Sequence, residues 1–135
     1  MSMKLPMDGR NELHYAALDG DRTRVRALVA AGTAVDVVDG IGWTPLFFAV
    51  ERGDGATTEL LISLGADVNH ADASGDTPLF RAIYASGVSA SVATALLSAG
   101  ADLDRPNRRG VTPRALVGRR GEDQYELVRL RLRIA

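Results

Sequence analysis

The segment WTPLFFAVERG, at residues 43–53, contains a short pattern that returns along the chain at nearly constant spacing. Its threonine, Thr44, is followed after 33 residues by TPLFRA at 77–82 and after a further 35 by TPRA at 112–115, and NELHYAA at 11–17 begins 33 residues before it. A second pattern keeps the same spacing, as GTAVD at 32–36, GADVN at 65–69 and GADLD at 100–104. Two independent patterns in one register indicate a repeat protein.

Each unit is predicted to contain two helices. Thr44 stands where an N-cap is expected, and Pro45 occupies the first helical position, where no backbone donor is needed. Apolar residues at helical spacing then continue to about Arg52, and a second helix is predicted from about Ala56 to Leu64, where Gly65 ends it. The glycines that precede Trp43 favour a sharp turn, so the segment before each first helix is interpreted as a hairpin finger.

These patterns resemble the ankyrin repeat, whose unit is a turn and two helices with a TPLHxA-like opening. The resemblance runs from about Arg10 onward and implies an all-α, ankyrin-like helix-turn-helix solenoid of four stacked units with short β-hairpin fingers. Residues 1–9 are predicted to be a flexible N-terminus and 10–135 a single domain, with units at about 10–38, 39–71, 72–106 and 107–135. The first and last units depart from the motif, because Asn11-Glu12 replaces Thr-Pro and Arg114 replaces leucine, so they are interpreted as caps.

Two segments fit the repeat less directly. Unit three is two residues longer than unit two, and the extra residues are assigned to the connection at 86–91, because the patterns on both sides stay in register. The last segment, 125–134, alternates like a strand but also fits a helix face. The three preceding units favour a helix there.

Composition limits the classes of function. A net charge of −1 over 135 residues excludes the strongly basic signature of a general nucleic-acid binder. Charge is uneven, however, since residues 1–99 hold 7 Lys/Arg against 12 Asp/Glu, and residues 100–135 hold 9 against 5. The absence of cysteine excludes disulfides and thiolate metal sites. No apolar run is long enough for a signal peptide or a membrane span, so a cytoplasmic protein is expected, and the Ala, Arg, Val and Gly content suggests a bacterial coding sequence.

The resemblance places the binding surface on a concave wall, built from finger residues and from exposed positions of the first helices. The candidate partner-binding residues on this wall are Tyr15, Ile41, Trp43, Phe48, Arg52, Ser74, Asp76, Arg81, Tyr84, Arg108 and Arg109. Four of the seven aromatic residues of the chain are in this set. Clustered aromatics with an arginine nearby are typical of interface hot spots, and Trp43 is therefore the predicted anchor. The alternative is that rings such as Phe48 simply pack in the core.

The remaining polar candidates have structural explanations. The arginines of unit four could meet an acidic partner or phosphates, but solvated arginines on a capping unit explain them equally well. His14 stands at the histidine position of the motif, where it is expected to order the turn. His70 lies near Asp67 and Asp72, but aspartates there recur as turn formers, so no metal site is assigned.

No sequence motif of a hydrolase, metalloprotease, phosphate-binding loop or calcium loop is present, so no catalytic residue and no cofactor are assigned. The sequence predicts a non-catalytic scaffold that binds another protein through the concave wall, centred on units two and three, and that is a monomer in isolation. An inhibitor or immunity protein covering an effector's active site is one concrete form of this role. The alternatives are a self-associating structural unit and a binder of an acidic or nucleic-acid surface through the arginine-rich last unit, although nucleic acid is not the expected partner.

Overall fold

The computed structural model of the chain describes residues 9–85 and 90–120. Within these ranges the chain forms seven helices in sequence order, namely α1 (Glu12–Asp19), α2 (Arg22–Ala30), α3 (Pro45–Glu51), α4 (Gly55–Ser63), α5 (Pro78–Tyr84), α6 (Ala90–Ser98) and α7 (Pro113–Arg120). These helices occur where the repeat pattern predicts them, and the all-α ankyrin-like fold is confirmed. The described ranges therefore hold three helix pairs and a seventh helix, α7.

The units stack side by side in two layers of helices. In one layer α1 contacts α3, α3 contacts α5 and α5 contacts α7, so these four helices lie next to one another. In the other layer α2 contacts α4 and α4 contacts α6. The core lies between and within these layers, and its fully buried side chains include Leu13, Leu46, Leu61, Leu79 and Ile83. Stacking of this kind lets each short unit bury an apolar face that it could not bury alone.

Side chains at the helix starts satisfy backbone N–H groups that the helices leave unpaired. Asn11 Oδ1 accepts hydrogen bonds from the N–H groups of Leu13 and His14, and Thr77 Oγ1 accepts one from Phe80. The expectation that Thr44 caps α3 with its side chain is wrong. Thr44 occupies the N-cap position, but its buried hydroxyl forms no hydrogen bond, and Pro45 alone favours the start of the helix.

Asp54 caps α4 with both carboxylate oxygens. Oδ1 accepts the Thr57 N–H at 3.1 Å, and Oδ2 accepts the Thr57 hydroxyl at 2.6 Å. Burial raises the pKa of Asp54, but the two hydrogen bonds from Thr57 and the positive charges of Arg22 and Arg52 outweigh it, so the pKa lies below its usual range. The ionised form of this cap is therefore favoured by folding.

Three predictions concern residues that lie wholly or largely outside the described ranges. They are the flexible N-terminus at 1–9, of which only Gly9 is described, the lengthened connection at 86–91 and the final helix at 125–134. None of the helices in the described ranges has the length and apolar content that crossing a bilayer requires.

Candidate functional site

The fingers are closed by one recurring arrangement of hydrogen bonds. The second, third and fourth fingers are residues 39–43, 72–76 and 107–111, and in each the first residue donates its backbone N–H to the carbonyl of the last at 2.9 Å. The side chain of the same first residue, Asp39, Asp72 or Asn107, accepts from the N–H groups two and four residues further on at 2.9–3.1 Å. The predicted β-hairpin form is corrected here, because in the described ranges these fingers are side-chain-closed turns and no strand is formed.

Adjacent fingers are joined directly through their backbones. The Ala73 N–H donates to the Ile41 carbonyl at 2.9 Å, and the Arg108 N–H donates to the Ser74 carbonyl at 3.0 Å. Gly42 and Gly75 permit this approach, since both have positive φ and a Cβ added at Gly75 would lie 2.8 Å from the Arg108 nitrogen. The fingers therefore form one continuous stacked edge beside the first helices.

Trp43 links the second finger to the third. Its Nε1 donates to Asp72 Oδ2 at 3.0 Å, and its ring stacks on Phe47 with centroids 5.4 Å apart. Phe48 and the same ring are arranged edge to face, with centroids 5.3 Å apart. Trp43 is half-buried by these contacts, so much of its ring stabilises the stack and only part of it is available to a partner.

Arg81 is held in place by an acid and two aromatic rings. Its Nε lies 2.6 Å from Glu51 Oε1, and its guanidinium carbon lies 5.6 Å from the centroid of Trp43 and 5.3 Å from that of Tyr84. Tyr84 in turn stacks on Phe80. An arginine fixed in this way loses little freedom when it binds a further group.

A concavity of about 510 Å³ opens between the third and fourth fingers and α5. We call it the arginine pocket, and it is lined by Ala73, Ser74, Asp76, Phe80, Arg81, Tyr84, Arg108 and Arg109. Asp76 is nearly buried and its Oδ1 accepts from Asn107 Nδ2 at 2.9 Å, which joins the two fingers at the base of the pocket. The pocket lies one unit further along the chain than units two and three, where we predicted the centre of the site.

The structure brings together six of the eleven candidate residues, since Ser74, Asp76, Arg81, Tyr84, Arg108 and Arg109 all line the arginine pocket. Trp43 joins them through Arg81. Tyr15, Ile41 and Arg52 lie elsewhere on the wall, Tyr15 being half-buried, Ile41 51% exposed and Arg52 exposed with its Nη1 bonded to the Leu18 carbonyl.

Phe48 requires a correction as a partner-contact residue. It is only 3% exposed, with the edge of His14 and the guanidinium of Arg10 packed against its ring. Phe48 is therefore a core residue that packs beneath the concave wall, as the alternative interpretation stated.

Sequence reasoning left three structurally important residues out of the candidate set. Glu51 orients Arg81, Asp72 fixes Trp43, and Asn107 bonds Asp76. Asp72 and Asn107 could have been found, because they stand at the same position of their units as Asp39, at spacings of 33 and 35 residues. Glu51 carries no comparable signal, since its pairing with Arg81 depends on how two neighbouring units pack.

Both histidines have structural roles in the described chain. His14 Nδ1 accepts from the Asn11 N–H at 3.0 Å and its Nε2 meets the Trp43 carbonyl at 2.9 Å, so this side chain orders the turn as expected. The bond accepted at Nδ1 places the proton on Nε2. His70 Nε2 lies 3.1 Å from the Gly42 carbonyl.

Arg114, which departs from the repeat motif, pairs with the acid at the base of the fourth unit. Its Nε and Nη2 donate to the two oxygens of Asp104 at 2.8 and 3.2 Å. This hydrogen bonding holds the pKa of Asp104 below its usual range and raises that of Arg114. Both side chains of this pair are exposed to solvent.

Stacked helix pairs joined by fingers define a helical repeat solenoid. Residues 13–107, which are 95 of the 135, match the family described as ankyrin repeats (3 copies), and the chain therefore belongs to the ankyrin-repeat family. Proteins of this family are generally modules for protein–protein interaction and typically non-catalytic scaffolds. No curated protein matches the chain.

Proposed function

We propose that the chain is a non-catalytic scaffold that binds a partner protein through its concave wall. The observation that carries this proposal is the uneven exposure of large apolar side chains. In the described ranges Val38, Ile41 and Tyr84 are the large hydrophobic residues left exposed, at 47%, 51% and 47%. Ile41 lies in the second finger, Val38 immediately precedes that finger, and Tyr84 ends α5. Contiguous exposed apolar patches are typical of protein interaction surfaces, and we infer that these three residues contribute to one.

The geometry of the wall also favours tight binding. Its fingers are closed and joined by hydrogen bonds before any partner arrives, and Arg81 is fixed by Glu51 and two rings. Preformed surfaces lose less conformational entropy on docking, so more of the contact energy contributes to affinity. The mechanism is therefore rigid presentation of aromatic, apolar and arginine side chains.

The test is capture of partners from a native lysate on the immobilised chain, followed by calorimetry with the captured protein. Tyr84→Ala is expected to weaken binding by about 30-fold or more, because hot-spot residues contribute about 2 kcal/mol or more. Arg26→Ala is the matched control, since Arg26 is exposed on α2, in the other helix layer. Equal affinities of the wild type and Tyr84→Ala, or an equal loss in Arg26→Ala, would contradict binding through the wall.

An inhibitor or immunity role is the narrower form of this proposal. It requires that the wall cover a partner's active site, so the captured protein should lose enzymatic activity in proportion to complex formed. The expected monomeric state in isolation is checked by sedimentation velocity at micromolar concentration, and a dimer abolished by Tyr84→Ala would instead indicate self-association through the wall.

A further inference from the structure

The arginine pocket carries an excess of positive charge that its own acids do not offset. Arg81, Arg108 and Arg109 line it together with one carboxylate, that of Asp76, and Glu51 lies behind Arg81. Three positive and two negative groups leave a net charge of +1 even when Glu51 is included. The pocket is therefore matched to a ligand with negative charge.

The three arginines retain donors for such a ligand. Arg81 Nε donates to Glu51 Oε1. Among the described residues, none accepts a hydrogen bond from the two Nη groups of Arg81. The Arg108 N–H donates to the Ser74 carbonyl of the third finger, and the Arg109 N–H donates to Asn107 Oδ1. Both arginine side chains are exposed and form no ion pair within the described ranges. Arginine presents its terminal N–H groups in a planar fork, which pairs with a carboxylate through two parallel hydrogen bonds.

The base and wall of the pocket indicate which kind of anion fits. Asp76 is nearly buried there, so a polyanion such as nucleic acid would bring further negative charge against it. A peptide offers a single carboxylate to the arginines. Its backbone N–H groups can donate hydrogen bonds to Asp76. Tyr84 adds a half-exposed aromatic face beside Arg81, which suits an apolar side chain next to the acid.

We propose that the arginine pocket, between the third and fourth fingers, binds an acidic segment of the partner protein, with an aspartate or glutamate carboxylate on Arg81 and flanked by Arg108 and Arg109. The inference rests on the proposed protein-binding function and names the chemistry that this function recognises. The pocket volume of about 510 Å³ lies within the ~300–1,000 Å³ of small-ligand sites, so it accommodates more than a single ion.

Trp43 supplies an intrinsic probe for the test, because it is the single tryptophan of the chain and its ring lies 5.6 Å from the Arg81 guanidinium. The full chain is titrated with the N-acetylated, C-amidated tripeptide Leu–Glu–Leu, called here the Glu–Leu peptide, which carries one side-chain carboxylate. Trp43 emission and backbone amide NMR shifts are followed, and the matching Gln–Leu peptide has Gln in place of Glu. The same titration is made with the Gln–Leu peptide, with a phosphoserine–Leu peptide and with a single-stranded oligonucleotide. Blocked termini ensure that only side-chain carboxylates are tested.

The Glu–Leu peptide is expected to bind at least about tenfold more tightly than the Gln–Leu peptide, because hydrogen bonds to a charged group are the stronger class. Arg81→Gln, and separately the double variant Arg108→Gln/Arg109→Gln, should each remove most of this preference. Arg26→Gln on α2 should leave it unchanged. Raising the salt concentration should weaken binding of the Glu–Leu peptide and leave the Gln–Leu peptide nearly unaffected.

Several results would overturn the inference. They are equal binding of the Glu–Leu and Gln–Leu peptides, no binding of either, no effect of the double variant, or binding of only the phosphoserine peptide or the oligonucleotide. The double variant keeps the inference testable if Arg81→Gln fails to fold, because its substituted side chains are exposed and the finger bonds use backbone atoms. If the Glu–Leu peptide shows no preferential binding but Tyr84→Ala still weakens partner capture, the acidic-segment inference alone is wrong. If the peptide shows no preference and Tyr84→Ala does not affect capture, the proposed function is refuted as well.

Discussion

Stacking of the fingers predicts different outcomes for the same substitution at two glycines. Gly75 and Gly110 occupy the same position of consecutive fingers and have nearly equal backbone angles, with φ of +78° and +76°. A Cβ at Gly75 would meet the Arg108 nitrogen at 2.8 Å, whereas a Cβ at Gly110 has nothing within 4 Å. Alanine at the two sites therefore shares the backbone strain and differs in the contact between fingers.

The magnitudes follow from this geometry. The left-handed conformation costs a non-glycine residue about 1–2 kcal/mol, and both variants carry that cost. Gly75→Ala must in addition separate the third and fourth fingers, which breaks the 3.0 Å bond from the Arg108 N–H to the Ser74 carbonyl, worth about 1 kcal/mol net. We expect a loss of about 2–3 kcal/mol in the free energy of unfolding for Gly75→Ala and about 1–2 kcal/mol for Gly110→Ala.

Urea and thermal unfolding followed by far-UV circular dichroism measure the difference. At this chain length 1 kcal/mol corresponds to about 3–5 °C in Tm, so the two variants should be resolved. Gly42→Ala is a second control, because its Cβ would lie 3.0 Å from the Ala73 nitrogen and it should resemble Gly75→Ala. Equal losses at Gly42, Gly75 and Gly110 would show that the finger contacts contribute nothing and would refute the reasoning.

Three further predictions concern single side chains. Asp54→Ala should destabilise the chain by about 1 kcal/mol through loss of the α4 cap, whereas Asp54→Asn should keep the cap. The pKa of Asp54 is lower in the folded chain than in the unfolded chain. Its ionised form therefore stabilises the fold above the unfolded pKa, and this stabilisation is lost as the pH falls through the folded pKa. In urea unfolding, the free energies of unfolding of the wild type and Asp54→Asn should converge at acid pH. Asp72→Asn should retain closure of the third finger but place an amide N–H against Trp43 Nε1. We expect a change in Trp43 emission and a loss of about 1–3 kcal/mol in the free energy of unfolding in urea. Unchanged emission would contradict the 3.0 Å bond between Trp43 Nε1 and Asp72. His14→Ala should cost about 1–3 kcal/mol in thermal unfolding, since it leaves the Asn11 N–H unpaired. The Trp43 carbonyl loses His14 but still accepts from the Asp39 N–H, so a loss below about 1 kcal/mol would show that the Asn11 N–H finds another partner.

The positions of the helices could be predicted because the signals for them are local. A threonine or asparagine N-cap, a proline at the first helical position and a glycine after the second helix each act within a few residues, and their return at 33 and 35 residues fixed the register. Closure of the fingers was equally local, through an Asp or Asn whose side chain accepts from the residues two and four further on. The aspartates at the finger base were predicted to form turns, but the bonds by which Asp72 and the equivalent Asn107 close their fingers were not assigned from the sequence.

Exposure of the wall residues was not predictable in the same way. Trp43 and Phe48 are both aromatic residues at wall positions, yet one is half-buried and bonded to Asp72 while the other is 3% exposed. The difference depends on residues of the neighbouring units, such as Asp72 and Arg10, whose distance from the ring is set by stacking. For the same reason a Trp43→Ala variant would change the stability of the finger stack as well as any partner contact. Substitution of an exposed side chain such as that of Ile41, whose hydrogen bonds in the finger use backbone atoms, separates the two effects better.

The register of the repeat explains why the pocket opens between units three and four. Asp76 and Arg81 of unit three occupy the positions that Trp43 and Phe48 occupy in unit two, 33 residues earlier. An acidic and a basic side chain therefore replace two packed rings. In unit two those rings meet at 5.3 Å and fill the space between finger and helix. In unit three the short Asp76 side chain turns to Asn107, and Arg81 lies against Trp43 and Tyr84, which leaves the arginine pocket beside them. The exchange of two rings for an acid and a base at equivalent positions thus accounts for the cavity, while Arg108 and Arg109 of the fourth finger supply its excess positive charge, which is why we place the binding chemistry of the wall between the third and fourth fingers.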